Sequence, residues 1–349
     1  MMRGALASAR RLLQRAIGYD IEALKLIRRD LRRLTAAVEE LEKGQQVAME
    51  LARRGDRTAS QIRLASTLNE TQREELARVS ELLDEHRIAE HVRNSIATAR
   101  LLTDPYEHAV VERVLPEPVY DLLLRAIPPV EFFEDRDPIK RNLSFPMEFG
   151  PTLSATVWEY MDSVIARQVI RPAVLEKFRE PLERHLTSMF GAGFLERARS
   201  MSQAASGGRL MLRRPGYHLG PHRDPKRAML TCLMYLARPG DSEQHGTQIF
   251  RVIGDEEAGF KQTYYPEERG ATCELVKVVP FRPNTMLVML NSRGAHGATI
   301  PSDAPADLER YAYQFYIAPL NEELAALIKS LPTPQRRMWR NKEPVGMSR

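Results

Sequence analysis

Between residues 209 and 317 the chain is cut into eight short apolar segments, a rhythm that constrains the fold more than any other feature. The segments are 209–213, 217–222, 229–236, 247–252, 273–279, 285–290, 296–300 and 310–317. Each is too short for a stable helix, reads as alternating or continuous apolar residues, and is bounded by Pro, Gly, Asp or Asn. A series of this kind is predicted to fold as an antiparallel sandwich or jelly roll.

The first third has the opposite character. From residue 5 to 100 there is no proline, and Ala, Leu, Glu and Arg predominate, which predicts an almost wholly helical stretch. Leu24, Ile27, Leu31, Leu34, Val38 and Leu41 recur at alternating spacings of three and four, the seam of a coiled coil. Gly44-Gln45-Gln46 is expected to interrupt that helix. Thr71-Gln72-Arg73-Glu74 is expected to open another as a capping box. The seam can serve a homo-oligomer, or an amphipathic helix packed on the rest of the chain.

Asp104-Pro105 should end the helical region. Val110, Val111 and Val114 predict a first strand, and residues 118–126 a short helix. Residues 156–190 predict a longer helical region broken at Pro172 and Pro181 and stopped by Gly191. The expected organisation is a helical segment at 1–102, an α+β catalytic domain at 103–320, and a C-terminal helix with a basic tail at 321–349.

Charge excludes one class of partner. Of a formal net charge of +5, residues 1–19 supply four Arg (Arg3, Arg10, Arg11 and Arg15) and no acid, leaving +1 for the remainder. A nucleic-acid-binding domain needs a basic stripe on its folded part, so no nucleic-acid partner is expected. No apolar run is long enough for a membrane span, and no apolar signal region opens the chain. A cytoplasmic protein is expected. The Arg-rich, acid-free start also resembles a mitochondrial presequence.

Candidate chemistry sits at the ends of the predicted strands. His222-Arg223-Asp224 closes the second strand, where period-two alternation sends His222 and Asp224 to one side. His296, at the mouth of the seventh, can complete a set of three ligands. Two His and one carboxylate on one octahedral face leave three positions open and suit Fe(II). Arg310 opens the eighth strand. A buried guanidinium needs an anion, either a nearby acid such as Asp307 or Glu309 or the distal carboxylate of a dicarboxylate ligand.

Other histidines carry less. On extended backbone His218 would face the same way as His222 but about 13 Å away, too far to share an ion. His245 is expected in a loop, and His86, His91, His108 and His185 are expected to be structural or solvated. Asn291 is placed on the pocket wall.

The run Tyr217-His218-Leu219-Gly220-Pro221-His222-Arg223-Asp224 is followed by Met234-Tyr235-Leu236, Gly246-Thr247, Pro283-Asn284-Thr285 with Leu287, His296 and Arg310. In order and spacing it resembles the prolyl-4-hydroxylase-like Fe(II)/2-oxoglutarate oxygenases. Asp104-Pro105-Tyr106-Glu107-His108 with Val114-Leu115-Pro116 extends the resemblance to roughly residues 103–320. It implies a double-stranded β-helix (jelly roll) with His222, Asp224 and His296 as metal-binding catalytic residues. It also implies 2-oxoglutarate as cosubstrate bound by Arg310 and Tyr217, O2 as oxidant, and ascorbate as auxiliary reductant. The implied reaction is hydroxylation coupled to conversion of 2-oxoglutarate to succinate and CO2, and Asp224 argues against halogenation.

The sequence departs from that pattern in places. Prolyl hydroxylases usually carry Lys where Arg310 falls, so a prolyl substrate is not implied; peptide, saccharide, lipid and small metabolite all stay open. Gly246-Thr247-Gln248 replaces a Gly-Gly turn. The insert at 254–274 reads equally as a substrate lid or a surface loop. Two rivals remain, a coiled-coil scaffold with a catalytically silent jelly roll and a cupin-like enzyme without 2-oxoglutarate, which Arg310 disfavours.

Overall fold

All eight expected strands form, each within two residues of its expected bounds. The computed structural model describes residues 2–134, 137–147, 149–255, 262–337 and 339. The eight are β5 (Arg209–Arg213), β6 (His218–His222), β7 (Leu230–Tyr235), β8 (Thr247–Ile253), β9 (Thr272–Val279), β10 (Thr285–Leu290), β11 (Ala295–Thr299) and β12 (Arg310–Pro319). Before them come β1 (Leu101–Leu102), β2 (His108–Glu112), β3 (Lys140–Ser144) and β4 (Gln203–Ala205).

The large antiparallel sheet runs β1-β2-β10-β7-β12-β5-β3, with β4 paired to β12, and the small sheet runs β6-β11-β8-β9. From β5 onward the chain passes back and forth between them, as the winding of a double-stranded β-helix requires.

Helices cover the outer face of the large sheet, so its central strands β10 and β7 are buried at every position. Leu230, Cys232 and Met234 of β7 and Tyr311, Tyr313, Phe315 and Ile317 of β12 pack there against Val92, Ile96, Trp158, Ile165 and Phe190. The intervening residues Leu233, Tyr235 and Ala312 face inward, against Ile249 of β8 and Val279 and Phe281. Burying each large apolar side chain contributes about 1.5–3 kcal/mol relative to exposure.

The helices are α1 (Met2–Thr71), α2 (Arg73–Leu82), α3 (Glu85–Thr98), α4 (Glu117–Arg125), α5 (Thr152–Tyr160), α6 (Arg171–Lys177), α7 (Arg179–Phe190), α8 (Leu195–Arg199), α9 (Asn321–Ser330) and α10 (Thr333–Arg337). Among the described residues no helix is long and apolar enough to cross a membrane.

The helical region departs from expectation in several ways. The chain forms two compact units, residues 1–63 and 64–349. Val79 of α2 and Ile88, Val92 and Ile96 of α3 are buried in the core of the second unit, which ties both helices to it. Gly44 does not interrupt α1. An interior glycine costs about 1 kcal/mol relative to Ala, which a long proline-free helix absorbs. The capping box is absent as well, because the Thr71 hydroxyl donates to the Leu68 carbonyl at 3.0 Å and Gln72 makes no side-chain cap.

A π-helical segment, Met161–Ile170, joins α5 to α6, and the real break comes at Phe178. Pro181 lies in the first turn of α7, where a missing N–H costs little, while Pro172 comes just after the π-helical segment. Buried Asp162 fastens this layer to the sheet, accepting from the Gly208 amide at 2.5 Å and the Tyr313 hydroxyl at 2.7 Å. Gly191 stops α7 at φ 82° as expected. In α1 the side chains of Leu24, Ile27 and Leu31 lie outside the described residues, while Leu34, Val38 and Leu41 are exposed.

Candidate metal centre and its pocket

Pairing of β6 with β11 brings the first two candidate ligands together, since His222 is in register with His296. Their ring centroids are 4.3 Å apart. Asp224 stands just past the end of β6, with Oδ1 4.0 Å from His222 Nε2 and Oδ2 3.5 Å from His296 Nε2. One donor atom from each of the three lies within 4.8 Å of the others, the only such cluster of His, Cys and acidic residues among the described residues.

Local bonds aim these donors. His222 Nδ1 lies 3.0 Å from the Gly220 carbonyl, which can only accept. The proton therefore sits on Nδ1, and the Nε2 lone pair faces the cluster. Asp224 Oδ2 accepts from Thr231 Oγ1 at 2.6 Å and Oδ1 from the Tyr316 hydroxyl at 3.1 Å. Burial alone would raise the Asp224 carboxyl, but His296, His222 and those two hydroxyls outweigh it and hold it below the usual range. Burial and the neighbouring His222 push His296 down to about 4, against the pull of Asp224. Both states are those a cation needs, an ionised carboxylate and a neutral imidazole.

Arg223, between the two ligands, turns the other way. Its Nε donates to the Gly294 carbonyl at 3.1 Å, one Nη to the Arg293 carbonyl at 2.6 Å, and the other to Asp255 at 3.1 Å. Its backbone forms an isolated bridge with Tyr264, and its guanidinium lies 5.5 Å from that ring. Arg223 thus ties the metal strand to the approach to His296 and to Asp255 and Tyr264 of the 254–274 insert. Residues 256–261 of that insert lie outside the described residues. Past them, Thr263 and Tyr265 line the pocket, with the Tyr265 ring 5.8 Å from His222.

The pocket has a volume of about 330 Å³. Arg310 lines it with only 5% exposure, its guanidinium 4.9 Å from the Phe281 ring and 5.4 Å from Tyr235. One Nη reaches Thr247 Oγ1 at 3.5 Å, and Nε has no partner. Burial lowers its pKa. Glu309 pairs with Arg214 at 2.5 Å, and no carboxylate among the described residues pairs with Arg310. Tyr217 is buried on the same pocket, its ring 4.9 Å from the Arg213 guanidinium.

Two sequence readings change. A register shift between His296 and Ala298 flips the alternation along β6, so Leu219 lines the pocket with His222. His218 is instead exposed, beside Thr299. Asn291 braces the ligand loop from behind, donating to the Asp224 carbonyl at 2.9 Å and the Pro225 carbonyl at 3.2 Å. Gly246 is sterically fixed, because a Cβ there would meet the Val279 carbonyl oxygen at 1.6 Å.

Sequence reasoning missed the wall formed by Lys140 and Asn142 of β3, Arg209, Met211 and Arg213 of β5, and Gln314 and Tyr316 of β12. The signal was present. Arg209 and Arg213 of β5, and Arg310 and Gln314 of β12, all fall on one set of alternate positions of their strands and mark an inward face.

No protein-family model matches the chain, and no curated protein matches it. Solved structures do. A Pseudomonas putida prolyl-4-hydroxylase is 16% identical, covering 67% of this chain and 99% of its own, with a TM-score of 0.34. AviO1 from Streptomyces viridochromogenes is 14% identical over 68% of this chain and 96% of its own, with a TM-score of 0.38. HygX from Streptomyces hygroscopicus, solved with nickel and 2-oxoglutarate bound, is 13% identical over 61% and 83%, with a TM-score of 0.35.

Proposed function

We propose that the chain is an Fe(II)- and 2-oxoglutarate-dependent oxygenase that hydroxylates its substrate while 2-oxoglutarate becomes succinate and CO2. The observation that carries this reading is that one pocket holds both the His222–Asp224–His296 cluster and a buried Arg310 with no carboxylate partner among the described residues. A cupin-like metal site would need the cluster alone. The cationic, partly unsatisfied Arg310 calls for an anion, and a guanidinium fork matches a carboxylate.

The residues fit the metal. Two imidazoles and one carboxylate form the facial set suited to Fe(II). When bound, Fe(II) would supply dioxygen activation coupled to oxidation of the 2-oxo acid. His222, Asp224 and His296 would hold the ion. Thr231 and Tyr316 fix the Asp224 carboxylate by donating to its two oxygens, and Gly220 fixes the His222 ring. Arg310 would bind the distal carboxylate of the cosubstrate, with the Thr247 and Tyr217 hydroxyls beside it. Tyr265 would wall the metal side of the pocket and limit entry of water. The catalytic domain in this reading is residues 103–320, buttressed by α2 and α3.

The test is to add Fe(II) and then 2-oxoglutarate to the anaerobic protein and follow the visible charge-transfer band of the chelate. A saturable band in the intact protein, lost in Asp224→Ala, is expected. Its absence at millimolar 2-oxoglutarate in iron-loaded protein would overturn the reading.

A further inference from the structure

The pocket carries more positive charge than the proposed chemistry uses, and the excess lies on one wall. Besides Arg310 the lining includes Lys140, Arg209 and Arg213, whereas Asp224 is its only carboxylate among the described residues. On the reading above, Asp224 and a dianionic cosubstrate together balance an Fe(II) ion and Arg310. Lys140, Arg209 and Arg213 remain uncompensated.

Their placement is not incidental. Arg213 of β5 is in register with Lys140 of β3 on one side and Arg310 of β12 on the other, so three cations stand in a row across adjacent strands. Like charges directly opposite each other destabilise a sheet, a cost that an anion facing the row would offset. Arg213 is 6% exposed, and its partners are neutral: the Arg141 and Leu212 carbonyls at 2.9 Å, Asn142 Oδ1 at 3.0 Å, and the Tyr217 ring 4.9 Å from its guanidinium. Burial lowers its pKa, so part of its hydration is lost without a counter-charge.

Arg209 extends the same face. Its Nε donates to Gln314 Oε1 at 3.0 Å, and one Nη lies 3.4 Å from the Tyr316 hydroxyl, the group that bonds Asp224. Its neutral partners leave its charge uncancelled beside the metal cluster. Arg213 and Arg209 are four residues apart on β5, roughly 13 Å of extended chain, so a single 2-oxoglutarate held at Arg310 does not span both.

We infer that the substrate is an anion, a carboxylate or phosphate ester whose charged group docks on the Lys140–Arg209–Arg213 wall. This rests on the oxygenase reading for the identity of the second anion in the pocket. The wall selects by charge, and a neutral saccharide or an aliphatic chain would leave the row of cations desolvated and unpaired.

The experiment uses full-length protein, anaerobic and loaded with Fe(II) and 2-oxoglutarate. The probes are benzoate, phenyl phosphate and neutral benzamide, titrated by calorimetry at low salt, where charge is least screened. At least one anion should bind about tenfold or more tightly than benzamide, and which anion wins separates carboxylate from phosphate substrates. Arg209→Gln combined with Lys140→Gln should remove most of that preference. Lys140 is exposed and Arg209 half-buried, so these changes leave buried Arg213 in place. Equal binding of benzamide and both anions, or an anion preference unchanged in the double variant, would overturn the proposal. The charge-transfer band of the same samples reports the cosubstrate separately. A normal band with no anion preference sinks this inference alone, whereas no band with a strong anion preference sinks the oxygenase reading and leaves the anion wall standing.

Discussion

The helix α1 and the large sheet use apolar residues in opposite ways. In β7 and β10 every residue is buried, one face against helices and the other against the small sheet or the pocket. In α1 Leu34, Val38, Leu41, Val47, Met49 and Leu51 are all more than half exposed. An isolated helix gains little from exposed leucines, since most helical stability comes from packing an apolar face. In the sheet unit the apolar pattern reports intramolecular packing, whereas in α1 Leu34, Val38 and Leu41 of the same kind of pattern stay at the surface.

The predictions test how independent the two regions are. Replacing Asp224, His222 or His296 by Ala should have the largest effect, removing metal occupancy and lowering uncoupled succinate formation at least a hundredfold. Metal analysis together with succinate assay checks this, and full succinate production in all three variants would remove the assignment. Arg310→Ala should come next. Loss of a charge-assisted bond of about 1.5–3 kcal/mol weakens 2-oxoglutarate roughly ten- to a hundredfold. Arg310→Lys should fall between, because it keeps the charge and loses the fork. Iron affinity should stay as in the parent; a lowered melting temperature with unaltered cosubstrate affinity would instead make Arg310 structural.

Acid sensitivity belongs to the sheet unit as well. Burial, with Lys226 and Arg223 adding to it, pushes His185 down to about 4, so the folded protein keeps it neutral where the unfolded chain protonates near 6.5. The unfolded state then binds the extra proton, and stability falls as pH drops from 6.5 toward 4, by at most about 3 kcal/mol. Above 6.5 the residue contributes no pH dependence. His185→Gln should flatten this part of a denaturation series, and an unchanged slope would refute the assignment.

Deleting residues 1–63 should have the smallest effect on chemistry. Iron and 2-oxoglutarate affinities should stay within about twofold of the intact chain, while light scattering shows a smaller assembly. A monomeric full-length protein at micromolar concentration would break the comparison at its first term, since the α1 stripe would then have no second copy to meet.

How much could be read in advance follows the same division. The strands were legible because their periodicity and turn residues are local, and His222, Asp224 and His296 because each sits at a strand end. The flip of His218 to solvent depends on a bulge between two strands far apart in sequence, and nothing local marks it. Arg223 gives no local sign that its side chain will collect carbonyls from Arg293 and Gly294, some seventy positions away. Continuity of α1 through Gly44 was hidden for the reverse reason, because a local helix-breaking preference is too small to act alone.

The strand β12 has a consequence for how the molecule can vary over generations. Arg310, Ala312, Gln314 and Tyr316 line the pocket, while Tyr311, Tyr313, Phe315 and Ile317, the residues between and just after them, fill the core under the helices. Gain or loss of one residue within the strand exchanges the two sets at once, placing the guanidinium under Trp158 and Phe190 and an aromatic ring in the cosubstrate position. Substitutions can be absorbed one at a time here, but changes of length cannot. Descendants of this chain should therefore differ in length at connections such as 254–271, between β8 and β9, and hold constant the number of residues from Arg310 to Ile317.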